Sequence, residues 1–344
     1  MKAMVLTGIN QMEMRDWPDP MIKNGHDVKI KLERVGVCGS DIHYYRTGKI
    51  GSQVVEFPFP VGHESGGIVV EVGKEVSNLK PGDRIAIEPA ISCGKCDQCL
   101  AGRPNTCRHT QFLGCPGQVE GSLMEYVVMP EENCFPIPHS MSFDEAAISE
   151  PLAIGLYAIK QSGFMEGTRI GILGFGPIGM SVMLPAQAFG ADNIYITDKI
   201  DDRLKIAEKL GAVWTGNPDK EDVAEVINQK EPQQLDVVYE CCGEQDAVDD
   251  ALEIVKPGGK IMLIGIPEQQ HLCFDMDYMR RKEITLINVR RQRFCVQEAL
   301  DLMSSGMVDI SLMATHHFGF KETKRAFDLV AGYQDGVMKA LIEF

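Results

Sequence analysis

The second half of the chain alternates strand-like and helix-like segments, and this alternation limits the folds open to it. From about residue 150, apolar runs such as RIGILGFG, NIYITDK and LDVVYECCG are separated by stretches such as PIGMSVMLPAQAFGA and DDRLKIAEKLGA. Strands that alternate with helices of roughly 10–15 residues form βαβ units, which build a parallel sheet. The sequence therefore predicts an α/β domain over 151–290.

The first part of the chain follows a different pattern. Runs such as HDVKIKLERVGV, SGGIVVEVG and SLMEYVVMP are short and bounded by Gly, Pro and Asn, which is typical of strands. A chain of 344 residues exceeds the roughly 250–300 residues at which single cores stop growing, so we expect two domains. We assign 1–150 to a mostly-β domain that 291–344 completes. Between the two domains, EPLAIGLYAIKQSG predicts a helix that begins at Glu150.

A glycine-rich turn follows the strand-like RIGIL and precedes a helix. Its G-x-G-x-x-G spacing is given by Gly174, Gly176 and Gly179. Such glycines let the backbone approach a pyrophosphate, and the helix N-terminus supplies amide donors. Asp198 ends the next strand, where a carboxylate accepts from a ribose 2′-hydroxyl and repels a 2′-phosphate. The turn predicts NAD rather than NADP, with nearby Lys199 and Arg203 weakening the preference and a purely structural turn as the alternative.

A cysteine cluster reads CGKCDQCLAGRPNTC. Its C-x2-C-x2-C-x7-C spacing is formed by Cys93, Cys96, Cys99 and Cys107. Two-residue loops wrap thiolates around one tetrahedral ion, and four thiolates close the coordination shell, so we expect a structural zinc. Iron–sulfur ligation uses similar spacing, and an empty or oxidised lobe is a further alternative. Six other cysteines are expected to be small buried hydrophobic residues: Cys115, Cys134, Cys241, Cys242, Cys273 and Cys295.

A second set of metal-binding side chains lies in the motifs CGSDIH and GHESGG. Cys38, His63 and Glu64 provide a thiolate, an imidazole and a carboxylate, which are the groups that bind zinc. Each residue alone is explained as a core thiol, a hydrogen-bonded histidine or a solvated glutamate. Together, three ligands with no fourth nearby in sequence indicate an open, catalytic metal site.

Composition excludes several classes of partner. The formal net charge is −15 with no cluster of lysine or arginine, which disfavours nucleic acid and anionic membranes. The N-terminus lacks the pattern of a signal peptide, and no apolar run approaches the ~20 residues of a membrane helix. We therefore expect a cytoplasmic protein whose cysteines are ligands or buried thiols rather than disulfides.

Taken in order, these motifs resemble those of the zinc-containing medium-chain dehydrogenases over nearly the full chain. The resemblance is carried by CGSDIH, GHESGGIVVEVG, KPGDRIAIEP, the cysteine cluster, EPLAIG and GFGPIG. SDIHYYRTGKIG, ISEPLAIG and TDKIDDRLKIA make the chain most similar to the sorbitol/xylitol (polyol) branch. The resemblance implies a GroES-like, mostly-β catalytic domain and a Rossmann, doubly wound parallel-sheet domain. It also implies hydride transfer between NAD and a secondary alcohol such as a polyol.

The resemblance further implies roles for residues around the catalytic metal. Cys38 and His63 would bind zinc with Glu64 as third ligand, and Glu150 would bind it directly or through the zinc water. A purely structural alternative for Glu150 is a helix start, where Glu followed by Pro is favourable.

The same resemblance implies a proton path and a substrate contact. Ser40 would relay the substrate proton, and His43 would pass it onward or be an ordinary surface residue. Tyr44 would contact the substrate, or simply pack.

For the cofactor, the resemblance places Ile178, Asp198 and Arg203 along the adenosine side of NAD. It places two segments near the nicotinamide: Ile264, Gly265 and Ile266, and Asn288, Val289 and Arg290.

One stretch departs from the polyol branch, which often has Phe-Arg-Tyr where this chain has Val289-Arg290-Arg291. Arg290 matches a substrate-side arginine, whereas Arg291 replaces an aromatic residue with a charge. An inward Arg291 could pair with a phosphate or carboxylate, and an outward one would be solvated.

Rival activities within the fold are therefore sugar-phosphate, sugar-acid, threonine and butanediol dehydrogenases. A non-catalytic NAD- and zinc-binding regulator is the rival from another class. The resemblance suggests a homo-oligomer, a dimer or tetramer, built partly by edge pairing of the nucleotide domains.

Overall fold

The computed structural model describes residues 1–269 and 271–344, and the chain divides into two compact units. The first unit comprises Met1–Glu150, Val296–Gly306 and Met313–Phe344, and the second comprises Pro151–Cys295 and Met307–Leu312. The first unit is thus discontinuous in sequence. Residues 291–295 and the short segment Met307–Leu312, which were expected to complete the first domain, lie in the second unit.

The first unit is built mainly from strands. Numbered along the chain, its strands are β1 (Lys2–Gly8), β2 (Gln11–Asp16), β3 (Asp27–Gly36), β4 (Lys49–Ile50), β5 (Gln53–Val54), β6 (Glu64–Val72), β7 (Arg84–Ile87), β8 (Ala90–Ile91), β9 (Gln111–Phe112), β10 (Tyr126–Pro130), β11 (Cys134–Pro136), β18 (Ala314–Gly319) and β19 (Lys339–Glu343). Its helices are α1 (Gly39–Thr47), α2 (Asp97–Leu100), α9 (Val296–Ser304) and α10 (Thr323–Ala331).

A seven-stranded sheet organises this unit. Its order is β11-β7-β6-β3-β19-β18, and β10 also pairs with β3. The C-terminal strand β19 runs antiparallel to β3, with Leu341 opposite Gly36. The core lies against this sheet and includes the fully buried Ile30, Leu32 and Ile85. The last residues of the chain are therefore part of the central sheet of the N-terminal unit.

The second unit alternates strands and helices. Its strands are β12 (Ile170–Leu173), β13 (Ile194–Thr197), β14 (Trp214–Gly216), β15 (Leu235–Glu240), β16 (Val255–Leu263) and β17 (Thr285–Asn288). Its helices are α4 (Pro177–Ala188), α5 (Asp201–Lys209), α6 (Val223–Lys230), α7 (Gln245–Ile254) and α8 (Met276–Lys282). The six strands are all parallel in the order β14-β13-β12-β15-β16-β17, which is the doubly wound order of dinucleotide-binding sheets.

One expected helix begins earlier than the sequence suggested. Helix α3 runs from Phe143 to Ser162 and contains Pro151 in its interior, so Glu150 is not a helix start. Ser142 caps the helix instead, because its hydroxyl accepts from the Glu145 amide at 3.1 Å while the Glu145 carboxylate accepts from Ser142. The prediction of a helix start at Glu150 is therefore wrong, and the structural alternative for this carboxylate is removed.

Within the described part of the chain, the search for a helix long and apolar enough to cross a lipid bilayer finds none.

Candidate active site

The four predicted lobe cysteines converge on one point between β8 and β9. Their sulfur atoms lie 3.6 Å apart for Cys96 and Cys99, 3.9 Å for Cys96 and Cys107, and 4.0 Å for Cys93 and Cys99. A tetrahedral zinc with Zn–S bonds of about 2.3 Å requires sulfur–sulfur distances of about 3.8 Å. The lobe therefore fits a four-thiolate zinc ion.

The lobe also favours the ionised form of some of its thiols. Backbone N–H groups of Cys99 and Arg108 lower the pKa of Cys96 to about 6. The Cys107 sulfur accepts from the backbone amides of Cys93 and His109, each at 3.3 Å. Because the thiolate is the metal-binding form, these contacts prepare the lobe for a cation.

The second candidate metal group is assembled from the starts of two elements of the first unit, α1 and β6. Cys38 precedes α1, His63 precedes β6 and Glu64 begins β6, and their ligand atoms all lie within 4.8 Å of one another. Glu64 is 1% exposed and is therefore not a solvated glutamate, whereas His63 is 5% exposed and contacts Asp41, as a hydrogen-bonded histidine would. The three residue types suit zinc and leave a coordination position open.

Asp41 holds this group in place, and the sequence analysis assigned it no role. One carboxylate oxygen of Asp41 lies 3.4 Å from Nδ1 of His63 and accepts from the Gly62 amide at 3.1 Å. The other accepts from the amide of Cys38. Burial lowers the pKa of His63, but Asp41 and Cys38 together raise it well above its usual value. A carboxylate on one imidazole nitrogen is the usual way to orient the other nitrogen toward a metal.

Further carboxylates surround the group. Glu150 is not one of the residues whose ligand atoms lie within 4.8 Å of one another, yet it is 5% exposed and interacts electrostatically with His63, Glu64 and Glu88. Burial raises the pKa of Glu150 to about 8, with Glu64 and Glu88 adding repulsion. Buried carboxylates that repel one another are stabilised by a cation, so the charge of the site fits a divalent metal.

A buried lysine, also not predicted, contacts Glu64, the third candidate ligand. Lys339 donates from Nζ to the two Glu64 oxygens at 2.6 and 2.7 Å. A signal for it was present in the sequence, because Lys339 opens the apolar strand run KALIE, in which only the last residue is exposed. Glu88 and Asp41 were harder to recognise as site residues from the sequence, because each is a single acidic residue next to a turn.

Helix α1 carries the predicted proton path and substrate contact. Ser40 donates to the Cys38 sulfur at 3.3 Å, and His43 follows three residues later on the same helix, so both lie on one face. Tyr44 is 5% exposed and donates from its hydroxyl to Gln53 at 3.1 Å. The roles of these side chains remain predictions.

The glycine turn of the second unit has the geometry of a phosphate-binding loop. Gly174 has φ of 93°, and Gly176 is the N-cap of α4. A Cβ on Gly179 would lie 2.1 Å from the Gly174 carbonyl oxygen, so only glycine allows the helix to approach the strand this closely. Asp198 accepts from the amides of Phe175 at 2.7 Å and Ile200 at 2.8 Å and thereby fixes the turn.

The remaining predicted cofactor residues lie in the same unit. Arg203 is 9% exposed, and its guanidinium lies 3.8 Å from Asp198. Ile178 is in the first turn of α4. The Ile264 and Gly265 amides donate to the Glu240 carbonyl, and Ile266 is 47% exposed.

The arginine run follows β17. Asn288 ends the strand and is exposed, Val289 is half-buried and Arg290 is exposed. Arg291 is half-buried and has φ of 53°, a left-handed conformation that is uncommon outside glycine. A contact between Arg291 and an anionic substrate stays a prediction.

Comparison with known proteins agrees with the two-part architecture. Residues 24–139 match the family model described as alcohol dehydrogenase GroES-like domain, and residues 177–305 match the model described as zinc-binding dehydrogenase. The chain is 35% identical over 343 residues to sorbitol dehydrogenase of Bacillus subtilis, covering 99% of this chain and 97% of the relative.

Two further relatives extend the comparison. L-idonate 5-dehydrogenase of Vitis vinifera is 36% identical over 333 residues, covering 95% of this chain and 90% of the relative. The crystal structure of galactitol-1-phosphate dehydrogenase from Escherichia coli superposes with a TM-score of 0.91 at 26% identity, covering 100% of both chains. The chain therefore belongs to the zinc-containing medium-chain dehydrogenases and is an NAD-linked, zinc-dependent oxidoreductase with a GroES-like and a Rossmann domain.

Proposed function

We propose that this protein oxidises a secondary hydroxyl of a polyol such as sorbitol or xylitol to the ketose, with NAD as hydride acceptor. The observation that carries the proposal is the convergence of Cys38, His63 and Glu64 within 4.8 Å, in a chain that also has a dinucleotide-binding turn. The sorbitol dehydrogenase relative supports a polyol as the substrate class.

Two zinc ions would be held by the first unit. Cys38, His63 and Glu64 would bind the catalytic ion, with Glu150 acting through a water, because Glu150 lies outside the 4.8 Å group. A zinc ion at such a site supplies a Lewis acid that lowers the pKa of a hydroxyl group. The structural ion would be held by the lobe: Cys93, Cys96, Cys99 and Cys107.

Ser40 and His43 would carry the substrate proton away from the site. The Ser40 hydroxyl already lies 3.3 Å from the Cys38 sulfur, so it is within hydrogen-bond reach of a hydroxyl held beside that ligand. His43 lies on the same face of α1 and is half-buried, which allows a proton to pass from a buried group toward solvent.

NAD would be bound by the second unit and would supply the hydride acceptor. The glycine turn and the N-terminus of α4 would hold the pyrophosphate. Asp198 would accept from the adenosine ribose with Ile178 and Arg203 beside it. The nicotinamide side would be formed by Ile264, Gly265, Ile266, Asn288, Val289 and Arg290.

Tyr44, Glu150, Arg290 and Arg291 would contact the substrate. Tyr44 is held by Gln53, so its hydroxyl is already fixed in position before substrate arrives. Among relatives, L-idonate 5-dehydrogenase and galactitol-1-phosphate dehydrogenase are named for anionic substrates, and an arginine is the residue that pairs best with such groups.

The test is NAD reduction, followed at 340 nm, by the zinc-loaded protein against a substrate panel. The panel contains sorbitol, xylitol, galactitol, a polyol phosphate, a sugar acid, threonine and 2,3-butanediol, each repeated with NADP. Turnover of free polyols supports the proposal. Turnover restricted to phosphorylated or carboxylated compounds would mean that the substrate is an anion and not a free polyol, and would assign Arg291 to anion recognition.

We also propose a cytoplasmic homo-oligomer, a dimer or tetramer. Among the residues that the structure describes, strand β17 pairs only with β16 and forms an edge of the six-stranded sheet, so a second copy could add to this edge. All eleven cysteines are free thiols, as is usual in a reducing compartment. Light scattering of the purified protein gives the oligomer mass directly, and a monomer mass would refute this assembly.

A further inference from the structure

Lys339 is the one lysine in the described part of the chain that is fully buried. Its side chain is 1% exposed, as is that of its partner Glu64. Burying an ammonium group is costly unless an opposite charge and hydrogen bonds compensate for it. Nζ donates to both Glu64 oxygens at 2.6 and 2.7 Å and lies 3.4 Å from the Val37 carbonyl.

The sheet register brings this lysine to the metal group. Lys339 is the first residue of β19, and the adjacent Ala340 carbonyl accepts from the Val37 amide at 2.9 Å. Cys38, a candidate ligand, is the next residue after Val37. On its other side, β3 pairs with β6, and Gly36 of β3 lies opposite Glu64 of β6. A Cβ at Gly36 would lie 2.2 Å from a Glu64 oxygen. The backbone of β3 therefore leaves the space in which the carboxylate and the lysine meet.

The charges that favour the ammonium form of Lys339 are negative. Its electrostatic partners are Glu64, Cys38 and Glu150, which are the thiolate and carboxylates of the proposed metal site. A divalent cation bound to the same carboxylate would be repelled by the lysine, because two like charges would share one counter-ion. Both Glu64 oxygens also give electron density to the ammonium group and have less to offer a metal.

We propose that Lys339 is a positioning residue that makes Glu64 a weak, exchangeable metal ligand. It holds both oxygens of Glu64, competes with the metal for them, and neutralises the carboxylate when the ion is released. Because Glu64 is taken as the third ligand, this inference rests on the function proposed above. The alternative is an ion pair that only anchors β19 to β6.

The test measures the rate at which the zinc-loaded protein releases zinc to an excess of chelator at fixed pH. Wild-type protein should release two ions in two phases, and the phase missing from Cys38→Ser belongs to the open site. If Cys38→Ser shows both phases, the proposed metal site is wrong, whatever Lys339 does.

Lys339→Met removes the charge and keeps the length of the side chain. We expect release from the open site to slow by about tenfold or more, since the competing cation is gone. The melting temperature should fall more in the zinc-free protein than in the loaded protein, because only zinc can then neutralise Glu64. Lys339→Arg should restore rapid release. Unchanged or faster release in Lys339→Met would overturn the proposal.

A second pair of variants covers the case in which Lys339→Met does not fold. Glu64→Gln leaves the lysine facing an amide, so zinc should leave faster than from wild type. Adding Lys339→Met to Glu64→Gln leaves no buried unpaired charge and should slow release again. An anchor-only lysine predicts equal release from these two proteins. Lys282→Met is the matched control, because Lys282 donates to carbonyls of the second unit and should change stability alone.

Discussion

The two candidate metal centres of the first unit are assembled in opposite ways. The cysteine lobe takes all four ligands from one stretch, Cys93 to Cys107, and its members are only half-buried. The open centre draws on α1, β6, α3 and β19, and His63, Glu64 and Lys339 are buried. A closed local shell stabilises the loop that carries it, whereas an open centre built from distant strands depends on the whole sheet and keeps a position for chemistry.

The largest expected effect comes from removing the thiolate of the open centre. Cys38→Ser should lower kcat/KM by at least about 1,000-fold, the scale at which one strong electrostatic catalyst contributes. NAD should bind with unchanged affinity, because the phosphate turn lies in the other unit. Zinc analysis should find one ion per chain instead of two. Cys273→Ser, which changes an exposed cysteine, is the control, and normal turnover by zinc-free Cys38→Ser would refute the assignment.

Removal of a lobe thiolate should act on stability before it acts on chemistry. We expect Cys99→Ser to lose the lobe zinc and at least about 3 kcal/mol of stability, because metal binding in such sites contributes directly to folding. A thermal melt followed by circular dichroism would show this as a drop of several degrees. At a temperature below the new transition, the remaining folded protein should keep its catalytic zinc. An unchanged melting temperature would mean that the lobe has no structural role.

Sequence periodicity predicted the parallel sheet well because local pattern and global fold agree there. The predicted strands RIGIL, NIYITDK, LDVVYECCG and KIMLIGIP correspond to β12, β13, β15 and the end of β16, whereas β14, β17 and the order of the six strands were not predicted. Helix α3 could not be bounded in the same way. Pro151 suggested a start, but the upstream cap at Ser142 and tertiary packing allow the helix to continue through the proline.

The candidate site also combines residues that a local sequence pattern reveals with residues that only the folded chain brings together. Cys93 to Cys107 could be found by spacing, because the ligands of the lobe are close in sequence. The apolar run KALIE marks Lys339 as unusual, but its partner could not be predicted, since Glu64 lies far away along the chain and only the pairing of β19 with β3 brings the two together. Asp41 was visible in the C-G-S-D turn, but its contact with His63 depends on where β6 begins.

Changing the phosphate turn should affect the cofactor without affecting either metal centre. In Asp198→Asn, one of the two carboxylate oxygens that accept from Phe175 and Ile200 becomes an amide donor. A lost charged hydrogen bond of about 1.5–3 kcal/mol corresponds to NADH binding about 10- to 100-fold more weakly. Fluorescence titration with NADH gives the dissociation constant. Lys199→Ala, at an exposed lysine next in sequence, should leave it unchanged, and unaltered NADH affinity in Asp198→Asn would contradict the assigned role.

The smallest effect concerns a group of acidic residues around Asp250 in the second unit. Burial raises the pKa of Asp250, on α7, to about 6, and nearby acids add to the shift: Glu253, Asp222, Asp246 and Asp249. A carboxyl group whose pKa is higher in the folded than in the unfolded protein stabilises the fold at low pH. That stability is lost as the pH rises through about 6.

Asp250→Asn should therefore increase stability above pH 6, by about 1 kcal/mol once solvent screening of a half-buried group is included. The gain should shrink below the folded pKa of about 6 and disappear near the ordinary value of 3.8. Urea unfolding at several pH values measures it, with Asp219→Asn as control, because the exposed Asp219 has Lys199 as a partner. A gain that persists at low pH would show that packing, not charge, limits α7. The acids of the open centre differ from this group, because Lys339 lies among them and a bound zinc would offset their mutual repulsion.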